Sequence, residues 1–543
     1  MSIEKTLVLA VDIGTSSVRA MVFDSGGKIL SRTQIGYPAL RPQPYFEEQD
    51  PDLVRRETYR AIGECLAQAG AKAERVGGLA FSSQMYGIFL VDGEGRPLSF
   101  NVLWSDGRAE RQAAEVKGRD GSSPLYAVTG CPANSIYPLA KIRWFREERP
   151  SIFEKAARFV SIKEYVLAPL IGDWVVDHSM ASATGLLDIS SRRWSEAALM
   201  AAGMVPERLS RPVPGDAAFP LVNAELRRDW GLAEDVRVFP GGGDGPLANV
   251  GSGAFEVGAV NIDLGTSGAA RVVVDSPTTD EEGSLWCYCL SSERWTYGGI
   301  VTNVGNAYQW LGSNIASFGG EEVPETVFLR LNAYAAAVAP GAEGVRFLPY
   351  LRKARSPYWD DRLTGTVLGL RADHDIRHLA RALLEAVAYD ISAIIDIMAA
   401  RVALKPAIIL TGGLSKNPLV AQLLADVLDR EILVPECNEG SVAGAAIMAL
   451  RGMGLVEGLA FNRQNERAYA SWRPAPSHSN LYRGLRGEYA GLVSLFRAFG
   501  SKTWKGPQSP KGSHKDHAGE EPEGKATIGA APESSTGPAG GGR

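Results

Sequence analysis

Two stretches of the sequence share one pattern: VDIGTSSVRAMVFD at residues 11–24 and IDLGTSGAARVVVD at residues 262–275. In each copy one apolar run precedes a short polar loop and another follows it, which predicts a strand, a turn and a second strand. Aligned without a gap, the copies match at a constant offset of 251 residues. The matched pairs are Asp12 and Asp263, Gly14 and Gly265, Thr15 and Thr266, Ser16 and Ser267, Val22 and Val273, and Asp24 and Asp275.

The loop between the two strands is suited to bind phosphate. Gly14 lets the backbone approach a ligand closely, and successive N–H groups with the hydroxyls of Thr15 and Ser16 can surround a phosphate. Asp12 ends the preceding strand, where its carboxylate can hold Mg²⁺ through water. One copy alone reads equally well as a tight β-hairpin with polar turn residues. Two copies at matching positions favour a phosphate-binding loop in each half of the chain over two unrelated hairpins.

Length and composition limit the class of protein. At 543 residues the chain exceeds what one hydrophobic core usually organises, so at least two domains are expected. The net charge of −5 gives no reason to expect nucleic acid or an anionic membrane as a partner. We find neither an apolar run of the roughly 20 residues that a membrane-spanning helix needs nor an export signal. Five cysteines spread through the chain fit a reducing compartment, so we expect a cytoplasmic protein with small-molecule ligands.

Predicted strands and helices alternate along both halves, which indicates α/β architecture. A helical pattern follows Asp50 from Pro51 to Ala69 and stops at Gly70. We place an N-terminal domain at residues 1–255 and a C-terminal domain at residues 256–500. From residue 501 to 543 Gly, Pro, Ser, Lys and Glu dominate, which predicts a disordered tail, either dispensable or used for docking.

Two further glycine-rich segments carry candidate site residues. TGGLSKN, at residues 411–417, follows a predicted buried strand, so Gly412 and Gly413 would let the backbone lie against an adenine or ribose. The alternative is a turn at a helix start, capped by Ser415 or Asn417. GGGDG, at residues 241–245, contains Asp244, which by itself reads as a turn aspartate.

Together these segments resemble the actin-like ATPase superfamily and, within it, the FGGY carbohydrate kinases. The resemblance covers residues 7 to about 450 and is carried by DIGTSS, SSQMYG, LWSDGRA, DHSMASATGLLD, GGGDGPLANVGSG, DLGTSG, GGIVTNVGNAYQWL and TGGLSKN. Within the family the sequence is most similar to the gluconate-kinase branch. The resemblance implies an α/β fold of two duplicated actin-like (ribonuclease H-like) domains around a central nucleotide cleft. It also implies an enzyme that uses ATP and Mg²⁺ to phosphorylate D-gluconate to 6-phosphogluconate.

The resemblance further implies roles for individual residues. Asp244 matches the catalytic aspartate, which accepts the proton of the acceptor alcohol and, with Asp12, lies near Mg²⁺. The nucleotide would be bound by Gly14, Thr15, Ser16, Gly265, Thr266, Ser267, Gly305, Gln309, Gly412, Gly413 and Asn417. The sugar would be bound by Asp244, Gln84, Met85, Tyr86, Trp104, Asp106 and Arg108. Gln309 and Asn417 read equally well as helix-surface and capping residues, and Trp104 as part of the core.

The identity of the acceptor stays open in this sequence. A sugar acid needs a cation or several N–H donors for its carboxylate, and Arg108 and Lys163 are candidates by position, with a solvated surface charge as the alternative. Residues 351–357, LRKARSP, replace a Gly-Glu-Arg-like turn that is common in relatives. Xylulose, another pentulose or a polyol remain alternative acceptors. A chaperone-like or filament-forming ATPase and a sugar-sensing protein remain alternative functions, and a homodimer remains an open assembly.

Overall fold

The N-terminal half of the molecule is built on a six-stranded sheet. The structure, a computed structural model, describes residues 5–117, 124–316, 324–436, 439–463 and 468–502. The strands are β1 (Leu7–Ile13), β2 (Ser17–Asp24), β3 (Ile29–Gly36), β4 (Val76–Ser83), β5 (Phe219–Pro220) and β6 (Arg237–Gly243). Their order is β5-β6-β4-β1-β2-β3, in which β1 pairs antiparallel with β2 and parallel with β4.

The C-terminal half repeats this arrangement in a seven-stranded sheet. Its strands are β7 (Val260–Leu264), β8 (Gly268–Val274), β9 (Trp286–Cys289), β10 (Trp295–Val301), β11 (Ala407–Thr411), β12 (Glu431–Pro435) and β13 (Tyr469–Trp472). The order is β9-β10-β8-β7-β11-β12-β13, and β7 pairs antiparallel with β8 and parallel with β11. The two hairpins predicted from the repeat are therefore β1–β2 and β7–β8, and the expectation of a duplicated actin-like α/β fold is confirmed.

Local sequence signals set the ends of several helices. Asp50 accepts hydrogen bonds from the N–H groups of Asp52 and Leu53 at the start of α1, and Gly70, with φ of 57°, follows its last residue. The main helices are α1 (Pro51–Ala69), α2 (Pro138–Glu148), α3 (Ile162–Ile171), α4 (Asp244–Ser252), α5 (Gly305–Trp310), α6 (Pro324–Ala336), α7 (Ile376–Arg401), α8 (Pro418–Leu428), α9 (Gly440–Gly452) and α10 (Pro476–Lys502).

Shorter elements connect these parts. The short helices are Gly70–Arg75, Glu110–Val116, Tyr126–Thr129, Pro150–Lys155, His178–Ser182, Glu196–Ala202, Pro206–Arg208, Ala224–Asp229, Leu311–Ile315, Ala342–Gly344 and Gly413–Lys416. The short strands are Glu48–Gln49, Phe89–Val91, Asn101–Val102, Arg158–Val160, Val175–Asp177, Leu187–Asp188, Arg193–Trp194, Arg211–Val213, Arg346–Leu348 and Thr366–Leu368.

Helix α9 joins the cores of the two halves. Although α9 lies late in the chain, its apolar residues pack in one cluster with Val8, Ala10 and Phe239 of the N-terminal sheet. Leu247 and Val250 of α4 belong to the same cluster. Burying these side chains is the main force that keeps α4 and α9 together beneath the cleft.

The C-terminal end of the described chain is a helix, which the sequence patterns did not predict. Helix α10 runs through residue 502, and the predicted tail at residues 501–543 lies, from residue 503 on, outside the described residues. Among the described residues, no helix combines the length and the apolar character needed to cross a membrane.

Candidate active site

A cavity of about 510 Å³ lies between the two halves, where the β1–β2 and β7–β8 hairpins face each other. It gathers residues to which the sequence assigned phosphate, metal, sugar and catalytic roles. Those on its lining are Asp12, Gly14, Thr15, Gln84, Met85, Tyr86, Trp104, Asp244, Gly265, Thr266, Ser267 and Gly412. Ser16 is exposed at the tip of the first loop, next to them in the chain.

The first loop is fixed by buried amide side chains beneath it. Thr15 Oγ1 donates to Oε1 of Gln84 at 3.1 Å, and the Gln84 amide donates to Oε1 of Gln49 at 2.6 Å. Gln49 in turn donates to the carbonyl of Thr15 at 2.6 Å, and Tyr37 donates to the carbonyl of Gly14 at 2.8 Å. Gln84 therefore positions the loop as well as lining the cavity. Sequence motifs did not single out Gln49, because nothing local distinguishes it.

The second loop is one residue shorter than the first. Strands β1 and β2 pair Asp12 with Arg19, whereas β7 and β8 pair Asp263 with Ala269. The ungapped alignment of the two copies instead equates Arg19 with Ala270. Beyond the loop that alignment is therefore one residue out of step with the strand pairing. As a result Asp12 has a cation opposite, at 2.7 Å from Arg19 Nη2, and Asp263 has a methyl group.

Gly305 and Gln309 lie behind the second loop. The Gly305 N–H donates to the carbonyl of Gly265 at 3.2 Å, and a Cβ at Gly305 would lie 2.6 Å from that oxygen. Only glycine allows this approach. Gln309 is exposed on α5. In the described part of the chain neither residue lies on the cavity lining, so Gly305 supports the loop through its backbone.

The segment predicted for adenosine forms a turn between β11 and α8. Gly412 has φ of 87°, a conformation that favours glycine, and a Cβ there would lie 2.4 Å from the carbonyl of Leu264. Gly413 is exposed beside it. Asn417 caps α8 by accepting the N–H of Leu419, while its Nδ2 is buried without a hydrogen-bond partner in the described structure. The capping role is thus present, and neither Gly413 nor Asn417 is among the described residues that line the cavity.

Three carboxylates converge on the cavity: Asp12, Asp244 and Asp263. Asp244 is the first residue of α4, directly after β6, and burial together with the charge of Asp12 raises its pKa to about 7. Within the described residues, the buried Oδ1 of Asp12 has no hydrogen-bond partner. Neighbouring carboxylates repel one another, and a hard divalent cation bound to the unpaired oxygen would relieve that repulsion.

The segments predicted to bind the sugar form an aromatic wall. Met85, Tyr86 and Trp104 line the cavity, and Tyr86 has a strained φ of 68°. Lys141 is buried behind them and donates to the carbonyls of Tyr86 at 2.9 Å and Leu103 at 2.7 Å. This lysine, which the sequence motifs did not reveal, ties the SSQMYG and LWSDGR segments together.

Asp106 and Arg108, predicted to contact the sugar, form a buried ion pair instead of lining the cavity of the described structure. The Asp106 carboxylate accepts the N–H of Glu47 at 2.7 Å. Arg108 Nη2 contacts Asp106 and Glu48, both at 2.7 Å, and its guanidinium stacks 4.1 Å from the ring centre of Phe46. Both side chains are therefore saturated by local partners, and they fix the turn after Trp104.

Lys163, the other candidate for binding a carboxylate, is also buried and paired. Its Nζ lies 2.5 Å from Asp177 and donates to the carbonyl of Gly242 at 2.7 Å. Gly242 is two residues before Asp244. The lysine thus supports the end of β6, directly before Asp244.

Arg271 is a cavity residue that the motifs did not identify. It lies on β8 and lines the cavity, and its charge opposes the rise in the pKa of Asp244. The available signal was a single basic residue within the otherwise apolar run AARVVV. A charge inside a buried strand needs a partner or a ligand.

Comparison with known proteins agrees with this geometry. Residues 7–251 match the FGGY family of carbohydrate kinases, N-terminal domain, and residues 260–453 match the C-terminal domain of that family. The chain is 33% identical over 518 residues to a gluconokinase of Bacillus licheniformis, covering 91% of this chain and 99% of that protein. It is 28% identical over 484 residues to a xylulose kinase of Lactococcus lactis subsp. lactis, covering 88% of this chain and 94% of that protein.

Solved structures give the same result. Gluconate kinase from Lactobacillus acidophilus superposes with a TM-score of 0.85 and 25% identity, covering 91% of this chain and 99% of that one. A ligand-bound xylulose kinase from the same species superposes with a TM-score of 0.84 and 25% identity, again covering 91% of this chain and 99% of that one. Because both family domains match and together span most of the chain, the protein belongs to the FGGY family of carbohydrate kinases and is an ATP-dependent sugar kinase.

Proposed function

We propose that this kinase transfers the γ-phosphoryl group of ATP to D-gluconate, giving ADP and 6-phosphogluconate. The observation that carries the proposal is the position of Asp244, a half-buried carboxylate at the start of α4 in the cavity that both phosphate loops line. The gluconokinase and gluconate kinase relatives, matched over nearly their whole length, support gluconate as the acceptor.

In the proposed reaction Asp244 acts as the general base. Its ionised form accepts the proton of the acceptor hydroxyl as the new P–O bond forms and the bond between the γ-phosphorus and the bridging oxygen of ADP breaks. A pKa near 7 suits this role, because the carboxylate is then both ionised and basic at neutral pH. Closure of the halves would exclude water as a competing acceptor.

We assign the nucleotide to the two loops and to the β11–α8 turn. Backbone N–H groups of Gly14 to Ser16 and of Gly265 to Ser267 would bind the phosphates, and the turn at Gly412 and Gly413 would bind the adenosine. Mg²⁺ fits the carboxylates of Asp12, Asp244 and Asp263 and would neutralise phosphate charge. The unpartnered Oδ1 of Asp12 supports this assignment, as judged from the described residues.

The proposal is tested by coupled ADP release with MgATP and a panel of D-gluconate, D-xylulose, glycerol and L-ribulose. We expect D-gluconate to give the highest kcat/KM and Asp244→Asn to lower kcat by at least about a thousandfold, since only the base is removed. If D-xylulose is preferred, as the xylulose kinase relatives would suggest, the enzyme is a pentulose kinase. Turnover that no sugar stimulates would contradict both assignments.

The cellular setting is a separate part of the proposal. We place the enzyme in the cytoplasm, because Cys65, Cys131, Cys287 and Cys289 are buried free thiols, as expected where thiols stay reduced. Fractionation of expressing cells tests this location. We add a homodimer as the assembly, by analogy with the family alone, and light scattering of the purified protein tests it.

A further inference from the structure

Arg271 and Trp286 lie on one face of the C-terminal sheet, at the bottom of the cavity. Strand β8 pairs Arg271 with Gly298 of β10, and β10 pairs Gly298 with Trp286 of β9. Residues directly opposite in antiparallel strands share a face of the sheet. A Cβ on Gly298 would lie 3.2 Å from Cγ of Arg271, so the glycine makes room for the arginine side chain. Both side chains line the cavity.

The two side chains offer buried N–H donors to the cavity. In the structure described here, Nε and Nη1 of Arg271 and Nε1 of Trp286 are buried without a hydrogen-bond partner. An unsatisfied buried donor costs about 1–3 kcal/mol, and more when it is charged. Such a cost is offset when the donors bind a ligand, which explains their convergence on an active-site cavity.

The position along β8 separates these donors from the phosphate loop. Arg271 is four residues beyond Ser267, roughly 13 Å along an extended strand. On the other side the guanidinium approaches α4, where a Cβ on Gly245 would lie 3.1 Å from its Nε. Glycine directly after Asp244 thus makes room for the arginine.

We propose that Arg271 and Trp286 form a subsite for the carboxylate of the acceptor and thereby select sugar acids over neutral sugars. This inference rests on the proposed sugar-acid kinase function and adds the residues that set its specificity. A guanidinium presents parallel N–H groups that match the two oxygens of a carboxylate, and the indole N–H supplies a further donor. Arg108 and Lys163 are poorer candidates, because Asp106 and Asp177 already neutralise their charges.

The test compares two acceptors that differ only in the charged end. D-Gluconate and D-sorbitol have the same carbon chain and the same terminal hydroxyl, but sorbitol has CH₂OH in place of the carboxylate. For Arg271→Met we expect KM for gluconate to rise by at least about 30-fold, with kcat and the KM or inhibition constant of sorbitol changed less than about threefold. Arg271→Lys should fall between the wild type and Arg271→Met, because lysine keeps the charge without the paired donors.

Arg473→Met is the matched control, because Arg473 is 82% exposed and pairs with Glu431 outside the cavity. The ratio of gluconate to sorbitol constants is taken within each variant, so partial loss of folded protein cancels. An equal loss for both acceptors would overturn the inference and assign Arg271 to the phosphoryl group or the fold. An unchanged gluconate KM in Arg271→Met would overturn it as well.

The same experiment separates this inference from the choice of gluconate. D-Xylonate and D-galactonate are included as other sugar acids. If one of them replaces gluconate as the preferred acceptor and depends on Arg271, the gluconate proposal fails and the subsite stands. If gluconate is preferred without dependence on Arg271, the subsite fails and the gluconate proposal stands. Turnover of neutral sugars alone overturns both.

Discussion

At the scale of single residues, Asp244 has its basicity from burial and its position from the backbone. Loss of hydration raises its pKa first, and the charges of Asp12 and Asp263 act in the same direction, while Arg271 opposes them. Its Oδ1 accepts the N–H of Gly245 at 2.7 Å, so the carboxyl group is fixed at the start of α4. Because the carboxylate is poorly hydrated and has few hydrogen-bond partners, its affinity for a proton stays high.

This environment predicts how activity depends on pH. Because Asp244 must be ionised to accept a proton, kcat/KM for the sugar should fall tenfold per pH unit below the pKa of Asp244, which is about 7 without a metal ion and lower with Mg²⁺ beside it. The measurement is an initial-rate profile from pH 5.5 to 8.5 at saturating MgATP, with recovery of full activity after return to pH 8 as the control for acid unfolding. A decline at low pH that Asp244→Asn shares with the wild type would show that Asp244 is not the titrating base.

The same shift predicts that Asp244→Asn stabilises the fold. A pKa of about 7 in the folded state, against 3.8 as the ordinary value, means that only the folded form holds the proton between these limits. Folding stability therefore decreases as pH rises from about 4 to 7 and then levels off. We expect Asp244→Asn to raise the free energy of unfolding by on the order of 1–4 kcal/mol at pH 8, and by less at pH 5.

Urea unfolding at pH 8 and pH 5 measures this difference. Asp235→Asn serves as the control, because that carboxylate is 66% exposed and should change stability by less than about 0.5 kcal/mol at either pH. A destabilised Asp244→Asn protein at pH 8 would contradict the electrostatic account. It would mean that the carboxylate is needed for folding.

At the scale of elements, the packing of α4 on α9 depends on glycine. A Cβ on Gly444 would lie 2.1 Å from the carbonyl of Leu247, so the two backbones touch there. We expect Gly444→Ala to lower the free energy of unfolding by about 1–3 kcal/mol through overpacking, and to lower kcat because α4 carries Asp244. Urea unfolding and steady-state assays measure both. Gly484→Ala is the control on α10, where an added Cβ meets open space among the described atoms and should stabilise by up to about 1 kcal/mol.

The elements with local signals were predictable from the sequence. The limits of α1 were given by Asp50 and Gly70, and α8 and β12 coincide with the apolar runs PLVAQLLADVL and EILVP. In contrast, α4 forms from the glycine-rich DGPLANVGS, which has little helix propensity of its own. Its stability comes from packing on α9, a contact between segments almost two hundred residues apart that no local pattern encodes.

In the candidate site, too, residues with local sequence signals could be predicted and residues that depend on long-range contacts could not. The loops of the two hairpins and Asp244 line the cavity, and they could be singled out from the sequence because their motifs are local. Arg271 was missed because its place on the cavity depends on the pairing of β8 with β10, which no local pattern shows. The ungapped repeat was also misleading beyond the loop, where the register slips by one residue. Arg108 was assigned to the sugar because sequence reasoning could not see its ion pair with Asp106.

At the scale of the whole molecule, the segment LRKARSP at residues 351–357 bridges the two halves. Arg352 exchanges hydrogen bonds with Asn303, at 2.8 and 3.0 Å, which ties the segment to the connection between β10 and α5. Lys353 forms an ion pair with Glu110, which belongs to the N-terminal half and follows its LWSDGR segment. The departure from the family pattern noted in the sequence thus lies at the rim between the halves.

This bridge predicts how the rim affects sugar binding. If Lys353 and Glu110 help to hold the halves together over the acceptor, Lys353→Ala should raise KM for the sugar by about three- to fivefold, the worth of a partly exposed ion pair. The effect should shrink in about 1 M salt, where screening weakens the pair in the wild type as well. Lys405→Ala is the matched control, because Lys405 pairs with Glu256 within the C-terminal half and should leave KM unchanged. Steady-state kinetics at low and high salt measure KM for the sugar in both variants. Equal KM values in Lys353→Ala and Lys405→Ala would mean that closure does not depend on the ion pair between Lys353 and Glu110.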